Sequence, residues 1–196
     1  GLVLRPAEPD TPISLGGGAG LALDQSQLDA MKRPLVLGGS DSSNPIVITA
    51  TEEPIVVNVP LVLQSQGTGG RIAVAGDLVA AQLDILGPGH TTSLTDGASL
   101  TSNTDLNIND SLDLSGETSL SAGQDVVVTG LVNGRGDSID TLRIAAGGDI
   151  RLQGGIGLGV ATFSQLSSGS GYGDGVYDEV RLLGGSGTGA LAKVTV

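Results

Sequence analysis

The stretch DLNINDSLD, residues 105–113, carries side-chain oxygens at alternate positions. In an extended strand successive side chains point to opposite faces, so Asp105, Asn107 and Asn109 share one face, with Asp110 and Asp113 just beyond. Carboxylate and amide oxygens at that spacing suit a hard cation, and Ca2+ is the ion they would hold. The run starts like an EF-hand loop. Asp110 stands where that loop needs glycine, however, and Gly116 where it needs its closing glutamate, so the loop motif fails. A second oxygen-rich group is Asp174, Asp178 and Glu179, in GDGVYDE. The alternative for both groups is a solvated polar face with no metal and no cofactor of any kind.

Arg135, Gly136 and Asp137 spell the tripeptide of a cell-adhesion tag. They sit in NGRGDSID, a polar stretch between DVVVTG and LRIAAG. On an exposed loop such a tag can be read by a receptor, and the same residues also make an ordinary turn. Catalytic signals are poor. His90, in GPGHTT, is the one histidine. A serine and Asp84 or Asp96 can be drawn beside it, but no G-x-S-x-G is present. The expectation is a protein that is not an enzyme.

The composition says what must hold these residues. The chain has 196 residues, of which 39% are hydrophobic, nearly all Val, Leu, Ile and Ala. Aromatic rings are confined to Phe163, Tyr172 and Tyr177. Globular cores use large rings to fill space, so a core without them must be thin, regular and built of stacked aliphatics. The 33 glycines imply frequent turns, yet the chain is too apolar for a disordered linker. The net charge is −12, and no Lys or Arg falls between Arg71 and Arg135. Such a surface repels nucleic acid and anionic membranes, and attracts cations or basic partners. The lack of cysteine fits a secreted bacterial protein as well as many cytosolic ones. No apolar run is long enough to span a membrane, so no membrane insertion is expected. With no signal peptide and no initiating Met, the chain reads as a mature piece or fragment of something longer.

Residues 1–34 read as an extended, Pro- and Gly-rich lead that ends in one short helix, able to serve as a cap or as an inter-subunit strand. In DQSQLDAMKR, 24–33, Asp24 can cap the helix, Gln27 follows three residues later, Leu28 and Met31 share a face, and Pro34 ends it. After Pro34 the period changes to two, in LVLGG, IVIT, IVVN, LVLQS, RIAVAG, LDILG, DLNIN, LDLSG, DVVVTG, LRIAAG and DIRLQG. Short alternating strands usually suggest a sandwich or barrel. Here the strands are short and free of rings, and the pattern ends repeatedly on a small residue and Gly, which suits a solenoid in which each coil buries its aliphatics on the next. At roughly 20 residues per coil, residues 35–162 make about six coils. Asn107 and Asn109 would then face outward or form ladders between coils. From residue 163 the texture changes, and 163–196 read as a small Gly-rich β-module.

The order ISLGGGAGLALDQSQLDAMKRPLVLGGSDSSNPIVIT, 13–49, resembles passenger segments of filamentous-haemagglutinin-like proteins, which are two-partner-secreted or giant bacterial surface adhesins. GTGGRIAVAGDLVA, 67–80, and AAGGDIRLQGGIG, 145–157, resemble that family's coil repeats. The resemblance implies an all-β, right-handed parallel β-helix at the bacterial cell surface or outside the cell, structural or adhesive in role. Its partners would be other copies of itself, further repeats of a longer chain, or a host or neighbouring cell surface. GSGYGDGVY with GGSGTGALAKVTV, in the last thirty or so residues, resembles a tandem repeat of large bacterial surface proteins and of some phage structural proteins. One alternative is therefore a phage-like tail or fibre protein. The other is a carbohydrate-binding or cleaving β-helix, and such proteins hold sugars with aromatic and basic groups that are missing over most of this chain.

Overall fold

The structure is a computed structural model that describes residues 1–66, 70–134, 140–157, 160–167, 176–181 and 191–195. In chain order it opens with β1 (Leu2–Leu4), β2 (Ile13–Leu15), β3 (Leu21–Leu23) and helix α1 (Gln25–Asp29). There follow β4 (Leu35–Gly39), β5 (Ile46–Ile48), β6 (Ile55–Ser65), β7 (Ile72–Val74), β8 (Asp77–Leu94), β9 (Ser99–Ser102) and β10 (Leu106–Leu114). The rest are β11 (Glu117–Ala122), β12 (Val126–Val128), β13 (Val132–Gly134), β14 (Asp140–Ala146), β15 (Ile150–Leu152), β16 (Val160–Ser167), β17 (Val176–Arg181) and β18 (Leu191–Thr195). The first sixteen strands form one sheet, parallel throughout, that winds as a β-solenoid of about 5 turns. The all-β parallel helix with one short α-helix, expected from the period-two pattern, is the fold. Most coils run longer than the expected twenty residues: Leu35, Leu61, Leu83 and Leu106 stack in one column, and only the step from Leu106 to Val126 matches it. The excess goes into corner loops such as 40–45 and 49–54, and this reduces the expected six coils to about 5.

Three walls surround the core. The first stacks β1, β4, β6, β8, β10, β12 and β15, so that Leu4, Leu37, Leu63, Ile85, Ile108, Val128 and Leu152 continue one column. In the second wall β2, β5, β7, β8, β10 and β13 align Ile13, Ile46, Ile72, Thr92, Leu112 and Val132. The third aligns Ile55, Leu78, Leu100, Leu120 and Ile144 on β6, β8, β9, β11 and β14, with β16 as its last strand. Parallel strands lie about 4.8 Å apart, so each inward side chain rests on its own counterpart in the next coil. Branched aliphatics fill that spacing, and Leu35, Leu61, Leu83 and Leu106 are wholly buried. This is why the core does without rings.

Turns between walls depend on small residues. Gly38 has φ +86°, and a Cβ on it would collide with the Gln64 carbonyl of the next coil. At the N-terminal end Gly16, Gly17, Gly18 and Gly20 all have positive φ, which lets the chain double back within five residues. β3 therefore lies parallel to β2, outside it, with Ile13 beside Leu21. The Leu21 N–H donates to the Pro12 carbonyl and the Gly16 N–H to the Leu23 carbonyl.

Helix α1 forms where Asp24 and Gln27 predict it. The Asp24 carboxylate accepts the Gln27 N–H and the Gln27 side chain accepts the Asp24 N–H, which completes the capping box. Leu28 enters the core with 1% exposure. The helix stops at Ala30, one turn earlier than the sequence suggested, because the chain must turn through Pro34 into β4. At the far end β17 and β18 make an antiparallel two-stranded sheet apart from the solenoid sheet.

Candidate functional site

The residues expected to hold Ca2+ are separated by the pleat. Asn107 and Asn109 do point outward from β10, but Asp110 turns into the core, with 5% exposure, at a register shift between Asn109 and Ser111. Asp113 faces outward on the second wall, around the corner from Asn107. Asn107, Asn109 and Asp105 each bond a neighbouring coil. The Asn107 amide donates to Asp84 Oδ1 at 2.8 Å, and Thr129 Oγ1 donates to Asn109 Oδ1 at 2.8 Å. Asp105 Oδ1 accepts the Asp125 N–H at 3.2 Å, and Asp125 Oδ1 accepts the Asp149 N–H at 2.9 Å.

Asp105, Asp125 and Asp149 thus form a staircase up one corner of the solenoid, in which the Asp105 and Asp125 carboxylates each hold the backbone of the next coil. Arg151 closes its top: its guanidinium donates to Asp125 Oδ2 at 2.9 Å and also to Asp149. The Asp149 N–H first, and then Arg151, hold the Asp125 carboxyl below its ordinary pKa. Among the described residues no group of three or more His, Cys, Asp and Glu side chains converges to hold a metal. Asp178 and Glu179 lie on β17, and Asp174 lies outside the described residues. Arg135, Gly136 and Asp137 also lie outside them, between β13 and β14.

Asp110 is, with Asp140, one of two buried carboxyls among the described residues. Thr92 Oγ1 and the Ser111 N–H each donate to it at 2.8 Å. Loss of hydration raises its pKa, and these hydrogen bonds offset part of that rise. Thr92 itself replaces an aliphatic in the second-wall column and is wholly buried. Period-two alternation itself places Asp110 inward, in phase with Leu106, Ile108, Leu112 and Leu114 and opposite to Asn107, Asn109 and Asp113. Thr92, the one polar member of its column, is its side-chain partner there.

A second polar cluster ties down the loop after β1. The Asn44 amide nitrogen donates to the carbonyls of Glu8, Pro9 and Thr11 at 2.7–2.9 Å, and the Asn44 carbonyl accepts Ser65 Oγ. Beside it lies a pocket of about 290 Å3 lined by Arg5, Pro6, Asp41 and Asn44 among others. Arg5 and Asp41 pair with each other at 2.6 Å, which leaves the pocket no uncommitted charge. His90 stands on β8, near enough to Asp110 for its charge to act on that carboxyl.

The geometry that asks for a partner is at the N-terminal end. The third wall is closed there by a side chain: Gln25 Oε1 accepts the Val56 N–H at 3.0 Å and Gln25 Nε2 donates to the Val56 carbonyl at 2.8 Å. The second wall is extended by β3. The first wall stops at β1, and no described strand lies beyond it. The Leu2 N–H donates to the carbonyl of Pro34, just before β4, so by the alternation of a parallel ladder the Val3 N–H and C=O point away from the sheet. Leu2 and Val3 are 38% and 57% exposed, two of the three large hydrophobics so exposed among the described residues.

These features define a parallel β-solenoid in which polar side chains link neighbouring coils and the edge of β1 pairs with no further described strand. No helix among the described residues is long and apolar enough to cross a membrane. No protein-family model, curated protein or solved structure matches the chain.

Proposed function

We propose that this chain is a structural, non-enzymatic segment or subunit of a bacterial surface adhesin or extracellular filament, acting outside the cell. The observation that carries this reading is the open apolar edge of β1, at the end of wall columns that otherwise run without a break. An unpaired edge of this kind is a template for another strand. The outer polar groups support a scaffold role, because the Asp, Asn and Thr side chains of the coil corners are spent on the neighbouring coil. The partners are other copies of the chain or further repeats of a longer one, with a cell surface as the adhesive target.

Electron microscopy of the purified protein, with and without calcium, is the test. Fibres or short rods with the cross-section of one solenoid support the reading. Compact particles that depolymerise a polysaccharide overturn it. The adhesive part is tested separately: Arg135→Ala should reduce cell adhesion, and adhesion equal to the parent's removes the tripeptide from the account.

A further inference from the structure

Register fixes how far each wall extends at the N-terminal end. β1 and β2 both lie one strand outside the coil of β4 and β5. β3 lies one strand further out, on the second wall alone. On the third wall α1 occupies the same end, held to β6 through Gln25 and Val56. A helix is about 10 Å across, close to two strand spacings. The first wall therefore ends in a recess one strand deep, with β3 on one side, α1 on the other and the edge of β1 at its floor. A complete coil of a second molecule cannot dock there, because its second and third walls would meet β3 and α1. A single extended strand can.

We infer that this recess is the acceptor for one strand of a second copy of the chain, and that the donor is β18, Leu191–Thr195. The inference rests on the structural reading above and specifies its interface. β18 belongs to a two-stranded sheet outside the solenoid, and isolated two-strand sheets are marginal in water. One of its edges is taken by β17, and no described strand pairs with the other. Its five residues cover the three of β1. β1 and β2 cannot be the donors, because both are paired inside their own solenoid. The acceptor edge and the donor edge thus belong to two different sheets of the chain. Such a pair is head-to-tail and propagates as an open chain. Strand addition supplies main-chain hydrogen bonds at Val3, and the donor's alternate side chains cover Leu2 and Leu4.

The inference is tested by complementation in the full chain. Val3→Pro removes the outward N–H of β1 and leaves the Leu2 and Leu4 bonds to β4, the one arrangement in which an edge strand tolerates proline. Lys193→Pro disables β18 as a donor. Analytical ultracentrifugation of the parent should show concentration-dependent oligomers, and each variant alone should sediment as a monomer. Mixed one to one, the two variants should give dimers and nothing larger, since one retains the donor and the other the acceptor. Val3→Glu, which keeps the N–H and sets a charge on the edge, serves as a second acceptor variant, and circular dichroism checks the fold of each. A parent that stays monomeric, a Lys193→Pro variant that assembles as the parent does, or a mixture without dimers overturns the interface. Fibres that persist with Lys193→Pro would overturn it while leaving the structural role intact.

Discussion

Gln25 stands where a β-strand would otherwise pair with Val56. Its side-chain oxygen accepts the Val56 N–H at 3.0 Å and its nitrogen donates to the Val56 carbonyl at 2.8 Å, the two bonds a neighbouring parallel strand would make. The second amide hydrogen goes to Asp29 Oδ1 at 2.8 Å, which fixes the rotamer. A solenoid end exposes three rows of such groups, and here one row is answered by a single side chain on a five-residue helix.

Gln25→Ala should therefore cost on the order of 1 kcal/mol, since these hydrogen bonds are partly open to solvent. The Val56 amide should exchange with deuterium faster, while amides in the middle coils keep their protection. Gln25→Glu, which keeps the acceptor and loses the donor, should fall between. Unchanged exchange at Val56 in Gln25→Ala would show that the helix seals this edge without its side chain.

Asp110 should make the protein more stable in mild acid than its acidic composition suggests. Burial raises its pKa, against the hydrogen bonds from Thr92 and Ser111. The nearby charge of His90 lowers the value and that of Asp113 raises it, both as smaller effects. A carboxyl with a raised folded pKa stabilises fully below its unfolded value of about 3.9, and that contribution is lost as pH rises through the folded value. Asp110→Asn should then raise the thermal midpoint at pH 7 and leave it nearly unchanged near pH 3. A lower midpoint at pH 7 would mean that the ionised carboxylate is worth more to Thr92 and Ser111 than its burial costs.

The fold was legible because one signal, alternation of aliphatic and polar residues, repeats in segment after segment. LVLGG at 35–39 is β4 residue for residue, and the Asp24–Gln27 pair marks the helix start. Alternation says which residues face in, but it does not say where the coil bends. IVVN and LVLQS are one continuous strand, β6, that serves two walls, and the bend at Asn58–Pro60 shows only in the register. Asp110 is inward by the same alternation, in phase with Ile108 and Leu112. LGGGAG is Gly-rich enough to suggest extended chain, whereas its positive-φ glycines fold β3 back onto β2. The calcium expectation puts Asp105, Asn107 and Asn109 on one face, with Asp110 and Asp113 just beyond. The fold wraps that stretch around a corner, so Asn107 and Asp113 stand on different walls.

The Asp staircase should be visible by carboxyl titration. Asp125 is held below the usual range first by the Asp149 N–H and second by Arg151. Arg151→Ala should move the Asp125 titration, followed by carbon-detected NMR, part of the way back, because the backbone hydrogen bond remains. For a lowered carboxylate the stabilising contribution is present above the unfolded pKa and disappears as pH falls through the folded one. A complete return to the ordinary value in Arg151→Ala would assign the shift to the guanidinium alone and remove the backbone step from the staircase.

Position along one column should decide how much a leucine matters. Leu2, Leu35, Leu61, Leu83 and Leu106 have the same neighbours in register, but Leu83 is wholly buried between two coils whereas Leu2, at the open end, is 38% exposed. Leu83→Ala should cost about 2–5 kcal/mol, from lost transfer energy and from the cavity left between rigid strands. Leu2→Ala should cost under about 1 kcal/mol in a dilute monomer, since little packing is lost there and no enclosed cavity forms. Urea midpoints of the two variants, at a concentration where the parent is monomeric, check both figures. A Leu2→Ala penalty as large as that of Leu83→Ala would show that β1 is already covered in the monomer, and the acceptor recess would then be filled from within the chain.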